Sequence, residues 1–435
     1  MLTHPSGHPR GATLGAAALC VVMLLAGCEA PVRLMPTPVT FGSGDVDPFE
    51  KAGYQVQGTD LPVFYITNRG AVIEKPEPLH TLLPSERLRM GVAHMRIGDD
   101  TLDWETLHRL STSDDADARP IVHLKGLEQK AALGPGDTVA GSADAQAFFA
   151  TVNKALAAGE KKELVVYVHG ANNTVARASA QAAQLRHFTG RRVVMVSFLW
   201  PSTGSILRYF TDVSHAAASV DPFARMIEAL AENTKASSIE VVAFSAGAQI
   251  VSPAMVKLAT PRPGETREQL RQRLRLSHVY FAAPDIDTRR FADELAQYID
   301  IVGRVSIAAN LNDSALRFSA VVNRGSRAGS PNLTELSEEQ TGFIVDASRK
   351  LGFDVIKVDP TAIPNLPPRS HSFWFEDPWV SGDLLGLLLL NAEPQSRGLE
   401  PQESPHGTRY WTFPPDFKDR VQRLFTPAAA ASSPR

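Results

Sequence analysis

The feature that most constrains the fold is a regular alternation of short apolar runs with amphipathic segments from residue 146 onwards. Runs such as Leu164–Val168 and Ile239–Phe244 are continuously apolar or nearly so, which is typical of strands buried on both faces of a sheet. Strands are predicted at 61–67, 164–168, 192–197, 239–244, 278–282, 304–308 and 354–358, and helices at 146–158, 174–188, 220–233, 246–258, 287–297, from about 314, and at 379–390. Strands that alternate with helices predict an α/β fold with a mostly parallel central sheet and helices on both faces.

Composition excludes several classes of function. The 435 residues carry 44 Lys and Arg against 47 Asp and Glu, a formal net charge of −3, so no basic excess exists to neutralise nucleic-acid phosphates. The two cysteines, Cys20 and Cys28, both precede residue 30, which excludes a disulfide framework or a cysteine-based zinc site in the body of the chain. We expect no metal, no cofactor and no nucleic-acid partner.

The first residues have the design of a secretory signal. Arg10 precedes an apolar run over 12–25, which is too short to be a convincing membrane span. The run ends in Leu25-Ala-Gly-Cys28, which resembles the lipobox of bacterial lipoproteins, in which the chain is cut before the cysteine and the cysteine is acylated. The resemblance, with Glu29 rather than Asp after the cysteine, implies a lipid anchor at the outer membrane, facing the periplasm. The alternative is a plain cleaved signal peptide with Cys28 incidental.

These features divide the chain into four parts. They are a lipoprotein signal peptide (1–27), a Pro- and Gly-rich tether or lead-in (28–60), the α/β domain (61–395) and a partly disordered C-terminal extension (396–435).

A candidate nucleophile lies where strand 239–244 turns into helix 246–258. The sequence there is Ala243-Phe-Ser245-Ala-Gly247, a serine with small residues two positions before and after it. Such a tight turn strains the serine backbone, demands small neighbours and projects the hydroxyl beyond the strand. The Ala246 N–H, at the helix N-terminus, could then face a developing oxyanion. The alternative is a serine that only caps the helix.

The loop after strand 164–168 offers a second oxyanion donor. His169-Gly170 forms a tight turn after an early central strand, which places the N–H of Ala171 in the position that an α/β-hydrolase requires. Asn172 or Asn173 could also cap the next helix, and the two roles are compatible.

The acid and the base follow from chain order, because this fold arranges its triad as serine, acid, histidine. After residue 313 only His371 and His406 remain, and His371 lies between the last strand and the last apolar helix. Asp313 follows strand 304–308 and is the favoured acid, although it could cap the helix that begins at Ser314. Asp285, at the end of the preceding strand, is the rival.

At this point the chain resembles a group of uncharacterised bacterial α/β-hydrolases, the domain of unknown function numbered nine hundred. The matching stretches are 63–69, 168–173, 198–202 with Tyr209 and Asp212, 243–247, 282–287, 312–316 and 370–373. The resemblance implies hydrolase activity by a serine triad, without an agreed substrate. At the turn that holds the serine, the family usually has His-Ser-Met-Gly. This chain has Phe244 in place of the His and Ala246 in place of the Met, with the same Ser and Gly.

The sequence therefore predicts an envelope-anchored serine hydrolase, carboxylesterase- or lipase-like, that cleaves an ester or related acyl bond through an acyl-enzyme. Its expected partners are a small-molecule or lipid acyl substrate and a membrane, reached through the anchor. Lipase, thioesterase and peptidase activities are not ranked by the sequence. Trp200, Trp374 and Phe375 are candidates to line an acyl pocket, although core packing is the more frequent use of a tryptophan. The alternative from another class is a non-catalytic envelope lipoprotein that uses the fold as a binding module.

Overall fold

The structure is a computed structural model that describes residues 31–50, 57–114 and 119–425. Its centre is a sheet of eleven strands in the order β10-β11-β9-β8-β7-β6-β4-β5-β1-β2-β3. The strands are β1 (Asp60–Ile73), β2 (Leu79–Ile97), β3 (Val122–Leu133), β4 (Glu163–Val168), β5 (Val194–Phe198), β6 (Ser238–Phe244), β7 (Leu276–Ala282), β8 (Arg304–Ala309), β9 (Phe353–Lys357), β10 (Glu400–Glu403) and β11 (Arg409–Thr412).

Parallel pairing dominates this sheet. Seven of its ten neighbouring strand pairs are parallel, and the three antiparallel pairs lie towards the two edges. The described helices are α1 (Trp104–Thr112), α2 (Ala143–Ala158), α3 (Val175–Phe188), α4 (Tyr209–Ala218), α5 (Val220–Asn233), α6 (Ala248–Leu258), α7 (Arg267–Leu274), α8 (Thr288–Tyr298), α9 (Ser314–Asn323), α10 (Glu338–Lys350), α11 (Phe373–Glu376), α12 (Pro378–Leu390) and α13 (Phe417–Phe425). The predicted α/β fold with a mostly parallel sheet is confirmed.

The two faces of the sheet bury separate apolar layers. In β4, Leu164, Val166 and Val168 belong to the layer under α2, α5, α6 and α8, while Val165 and Tyr167 belong to the layer under α3 and α12. Successive side chains of a strand point to opposite faces of the sheet, so a strand buried on both faces must be predominantly apolar along its whole length. This is why the continuous apolar runs predicted the central strands so well.

The segment before β1 differs from the predicted tether. Residues 31–50 lack regular structure, yet Leu34, Met35 and Phe41 are at most 2% exposed and pack with α3 and α12. The backbone N–H of Met35 donates to Gln184 Oε1 (3.0 Å) and that of Val39 donates to the Pro378 carbonyl (3.0 Å). Buried apolar side chains and satisfied backbone groups make this part of the lead-in a layer of the domain. The predicted signal peptide (1–27) and Cys28 lie outside the described residues.

The predicted C-terminal extension also joins the domain. Strand β11 pairs with β10 and with β9, and so extends the sheet beyond residue 395, while Phe417 and Val421 of α13 are buried. Its last residues, 426–435, lie outside the described ranges. At the other edge lie β2 and β3, which fall largely within residues 85–145, where the mixed apolar and turn residues predict no element.

No helix in the described ranges combines the length and apolar character needed to cross a bilayer.

Candidate active site

The candidate nucleophile lies at a strained turn at the carboxyl end of β6. Ser245 has φ 52°, in the left-handed region that non-glycine residues rarely adopt. Its neighbours leave no space for larger residues: a Cβ on Gly247 would lie 2.8 Å from the Val168 carbonyl oxygen, and one on Gly170 would lie 2.9 Å from Ser245 Cβ. The turn therefore has the geometry of a nucleophile elbow, as its small residues predict.

Three side chains from distant parts of the chain meet at this turn. Ser245 Oγ lies 2.9 Å from His371 Nε2, and His371 Nδ1 lies 2.6 Å from Asp313 Oδ2. His371 follows β9 in a loop before α11, and Asp313 follows β8. The carboxyl ends of parallel strands face the same edge of the sheet, which brings the three residues together.

Asp313 has two structural functions at once. Its Oδ1 accepts hydrogen bonds from the N–H groups of Ala315 (2.9 Å) and Leu316 (3.1 Å), so it caps α9, while Oδ2 faces His371. The residue is fully buried and the His371 side chain is 20% exposed. The helix start thus fixes the carboxylate in one rotamer and aims it at the imidazole.

The two predicted oxyanion donors flank Ser245. Ala246 lies in the first turn after β6, where backbone N–H groups lack partners within the helix. Ala171 lies in the loop after β4 and lines the same cavity as Ser245. The loop is braced by Asp212, whose Oδ2 accepts from the Asn172 N–H (2.9 Å) and from Ser202 Oγ (2.8 Å).

A buried histidine supports the same loop from behind. His169 is fully buried and its ring stacks on Trp200 with 5.1 Å between ring centroids. Burial lowers the pKa of His169 to about 3, and its Nδ1–H donates to the Gly170 carbonyl (2.8 Å). His169 is therefore a neutral positioning residue and has no base function here.

The rival acid is occupied elsewhere. Asp285 Oδ1 accepts from Arg327 Nε (2.6 Å) and from Ser319 Oγ (2.6 Å), and Oδ2 accepts from the Tyr209 hydroxyl (2.7 Å). Its backbone N–H donates to the Ser245 carbonyl (3.0 Å), so the residue steadies the elbow from below. The hydrogen bonds to His371 thus favour Asp313 as the acid. His406 lies on an exposed turn between β10 and β11.

The aromatic residues near the site belong to the core more than to a pocket. Trp200 and Trp374 are both fully buried and neither lines the cavity that holds Ser245, so both pack in the core. Trp374 packs against Tyr167 (5.4 Å between centroids) and against Phe244 (6.0 Å). Phe244, which stands where the family usually has His, lies 5.0 Å from the His371 ring and forms an apolar backing for it.

A cavity of about 240 Å³ opens onto Ser245 and His371. Its walls are mixed, with Leu316 and Phe318 on one side and Tyr209, Asp285 and Ser319 on another. Burial beside the Asp285 carboxylate raises the pKa of Tyr209 to about 12, so this phenol stays protonated. Because Ser245 lines this cavity, a carbonyl compound bound in it would lie within reach of the serine hydroxyl. Within the described ranges, no three His, Cys, Asp or Glu side chains are grouped to hold a metal ion.

Sequence reasoning missed the residues that support the site. Asp212 and Tyr209 stand in the stretch 198–212 that matches the family, but nothing in their spacing reveals the loop brace or the contact with Asp285. Arg327, in the Gly- and Ser-rich excursion after α9, had no signal at all. Such residues act through side-chain contacts between distant segments, which a local pattern does not encode.

Comparisons with solved structures find weak likenesses to esterases. Thermogutta terrifontis esterase 2 phosphoramylated by tabun is 13% identical with a TM-score of 0.30, and the match covers 53% of this chain and 82% of that one. Esterase B from Lactobacillus rhamnosis is 11% identical with a TM-score of 0.30, covering 54% and 78%. No curated protein matches the chain.

The comparison with protein families is more informative. Residues 144–374, more than half of the 435, match the family described as alpha/beta hydrolase of unknown function (DUF900). The matched range contains Ser245, Asp313 and His371. The expected family resemblance is confirmed, and the chain belongs to this family of alpha/beta hydrolases of unknown function.

Proposed function

We propose that this protein is an envelope-anchored serine hydrolase that cleaves an ester or related acyl bond, with Ser245 as nucleophile, His371 as general base and acid, and Asp313 as the orienting carboxylate. One observation carries the proposal. It is the hydrogen-bonded row of 2.9 Å and 2.6 Å that joins the hydroxyl, the imidazole and the carboxylate at a strained elbow.

Acylation begins at Ser245 Oγ. A serine hydroxyl is a weak nucleophile unless a base removes its proton, and His371 Nε2 is placed to do so. As Oγ bonds to the substrate carbonyl carbon, the carbonyl oxygen gains negative charge, which the N–H groups of Ala246 and Ala171 stabilise. Asp313 holds the proton on His371 Nδ1 and stabilises the imidazolium that forms.

The second half of the cycle reverses these proton transfers. His371 returns its proton to the leaving alcohol as the carbon–oxygen bond breaks, which leaves an acyl ester on Ser245. Water then attacks that ester while His371 takes one of its protons, and collapse of the second tetrahedral intermediate releases the acid and free Ser245.

A fluorophosphonate probe tests the nucleophile, since it forms a covalent bond with an activated serine. The wild type should gain the mass of the phosphonyl group on the peptide that contains Ser245, and Ser245→Ala should gain nothing. Ser214→Ala, an exposed serine of α4, is the matched control and should label normally. A wild type that stays unlabelled and inactive towards esters of varied acyl length would reject the serine mechanism. It would favour the alternative, a non-catalytic lipoprotein that uses the fold as a binding module.

The membrane anchor is a separate part of the proposal. Support comes from the apolar run 12–25 and the lipobox-like sequence that ends at Cys28. Because several acyl chains on one cysteine anchor a protein firmly, Cys28→Ala should move the protein from the outer-membrane fraction to the soluble periplasmic fraction. Unchanged fractionation of this variant would refute the anchor without touching the catalytic proposal.

A further inference from the structure

Two segments flank the mouth of the catalytic cavity. One is the stretch 205–211, which contains the start of α4, and the other is α9, which begins directly after Asp313. They meet through side chains: the Tyr209 hydroxyl lies 2.9 Å from Ser319 Oγ and accepts from Asn323 Nδ2 at 3.3 Å. Tyr209, Phe318 and Ser319 also line the cavity that holds Ser245. The outer surfaces of these segments therefore form the rim of the site.

This rim carries large apolar side chains in solvent. Leu207 is 83% exposed, Phe210 67%, Phe318 56% and Val321 80%. Leu207 and Val321 are the two most exposed large hydrophobic residues of the described ranges. Single exposed apolar residues are ordinary on protein surfaces, but several on adjoining elements at the mouth of one cavity indicate an interaction surface.

The charges of the rim all have one sign. Arg208, Arg317 and Arg324 are exposed, and none of them forms an ion pair with a carboxylate of the described residues. The stretches 205–211 and 314–325 contain no Asp or Glu. On α9 the side chains of residues 317, 321 and 324 recur at helical spacing, so the arginines border the exposed valine.

We propose that this rim docks on an anionic lipid surface, and that the acyl substrate enters the cavity from that surface. Apolar side chains bordered by arginines are the combination that seats a helix in the headgroup region of a membrane. For its substrate class the inference rests on the proposed function, whereas the docking itself needs no catalysis.

The same charges argue against self-association through the rim. A symmetric dimer places the same surface of both copies in contact, so three arginines would face three arginines with no acid between them. Like charges brought together in a partly desolvated contact repel. A bilayer with anionic headgroups satisfies both the apolar and the cationic parts of the surface.

Vesicle binding tests the proposal on the full chain. All proteins carry Cys28→Ala, so that no acyl anchor is present and the N-terminus is the same throughout. The probe is vesicles of phosphatidylcholine with one quarter phosphatidylglycerol, compared with pure phosphatidylcholine, and the readout is the partition coefficient from cosedimentation. Thermal unfolding checks that each variant is folded.

Two sets of changes separate the contributions of the rim. The apolar set is Leu207→Ser, Phe210→Ser and Val321→Ser, and it should lower partition onto the anionic vesicles at least about tenfold. The charge set is Arg208→Gln, Arg317→Gln and Arg324→Gln, and it should lower partition about fivefold for each arginine, with little effect on the neutral vesicles.

Matched controls lie on other elements, outside the lining of the cavity. Leu351→Ser, Leu390→Ser and Leu424→Ser remove exposed side chains at the C-terminal ends of α10, α12 and α13, and Lys125→Gln, Lys154→Gln and Lys235→Gln remove exposed cations elsewhere. Both control sets should bind the vesicles within about twofold of the parent.

Catalysis gives a second readout. In both rim sets, the ratio of hydrolysis of a long-chain ester in anionic vesicles to hydrolysis of a soluble short-chain ester should fall with the partition coefficient. Rim variants that bind like the parent, or controls that lose as much binding, would overturn the docking surface. So would a parent that sedimentation shows to be a dimer and that the rim changes convert to a monomer. Normal vesicle binding with no ester hydrolysis would instead count against the proposed function alone.

Discussion

Replacement of Asp313 by Asn separates the proposed catalytic function of this carboxylate from its structural one. Asp313 Oδ1 caps α9 through two backbone N–H groups, while Oδ2 accepts from His371 Nδ1. Asn keeps one side-chain oxygen. That oxygen must accept the hydrogen bonds from the two backbone N–H groups of the cap, because an amide NH₂ group cannot accept them. The NH₂ group then faces His371, which must present a lone pair at Nδ1 and carry its proton on Nε2. In that tautomer the imidazole cannot take the proton of Ser245.

The size of each effect follows from these contacts. The wrong tautomer lowers kcat by about 10³–10⁴-fold in a serine triad, which corresponds to roughly 4–5.5 kcal/mol of transition-state stabilisation. Asn and Asp are comparable N-caps, so the free energy of unfolding should fall by less than about 1 kcal/mol. Asp313→Ala, which also loses the cap, should cost about 1–2 kcal/mol of stability.

The assay combines ester hydrolysis at saturating substrate with urea unfolding of the same preparations. Asp285→Asn is the contrasting variant, because it leaves Arg327 without its buried partner and should cost about 3–5 kcal/mol of stability. Its folded fraction should keep kcat within about tenfold, since no contact to His371 changes. A nearly active Asp313→Asn beside an inactive but stable Asp285→Asn would refute the assignment of the acid.

Three further outcomes are expected. Gly170→Ala places a methyl 2.9 Å from Ser245 Cβ, so the elbow must shift, and kcat/KM should fall about tenfold or more in an esterase assay; an unchanged rate would mean that the site tolerates the shift. His371→Ala should abolish hydrolysis whereas His406→Ala should not, and equal losses would contradict the choice of base. Burial raises the pKa of Glu240 from 4.5 to about 8, so the neutral acid stabilises the fold below pH 4.5 and that stability is lost as pH rises through about 8. In the wild type the free energy of unfolding should fall by about 4 kcal/mol between pH 5 and pH 9, and in Glu240→Gln this fall should be absent. The same pH dependence in both proteins would refute the account.

The predictions that succeeded rest on local signals. The apolar runs located the central strands to within a few residues, because a strand buried on both faces has few positions for a polar side chain. The tight turn at Ser245 is recognisable because a side chain at 247 would collide with the Val168 carbonyl, so the sequence keeps small residues around the serine. Chain order then reduced twelve histidines to two.

The composition of the segment before β1 did not predict that the segment is buried. Residues 31–50 are rich in Pro and Gly and have no period, so they resemble a tether, yet the structure buries them against α3 and α12. An irregular segment can be buried when distant groups satisfy its backbone, as Gln184 and Pro378 do here. Those partners lie far away in the sequence, so no local window contains the signal.

The sequence by itself determined the layered α/β architecture and the tight turn that carries Ser245, because both depend on residues a few positions apart. The tertiary structure decided which carboxylate serves the imidazole, since His371 lies 126 residues from Ser245 and 58 from Asp313, and only the packed sheet brings the three within hydrogen-bonding distance. It also decided that Trp200 and Trp374 are core residues and that Leu207 and Val321 face solvent. An apolar side chain carries the same chemistry in both settings, and its burial is set by which segments the fold places beside it.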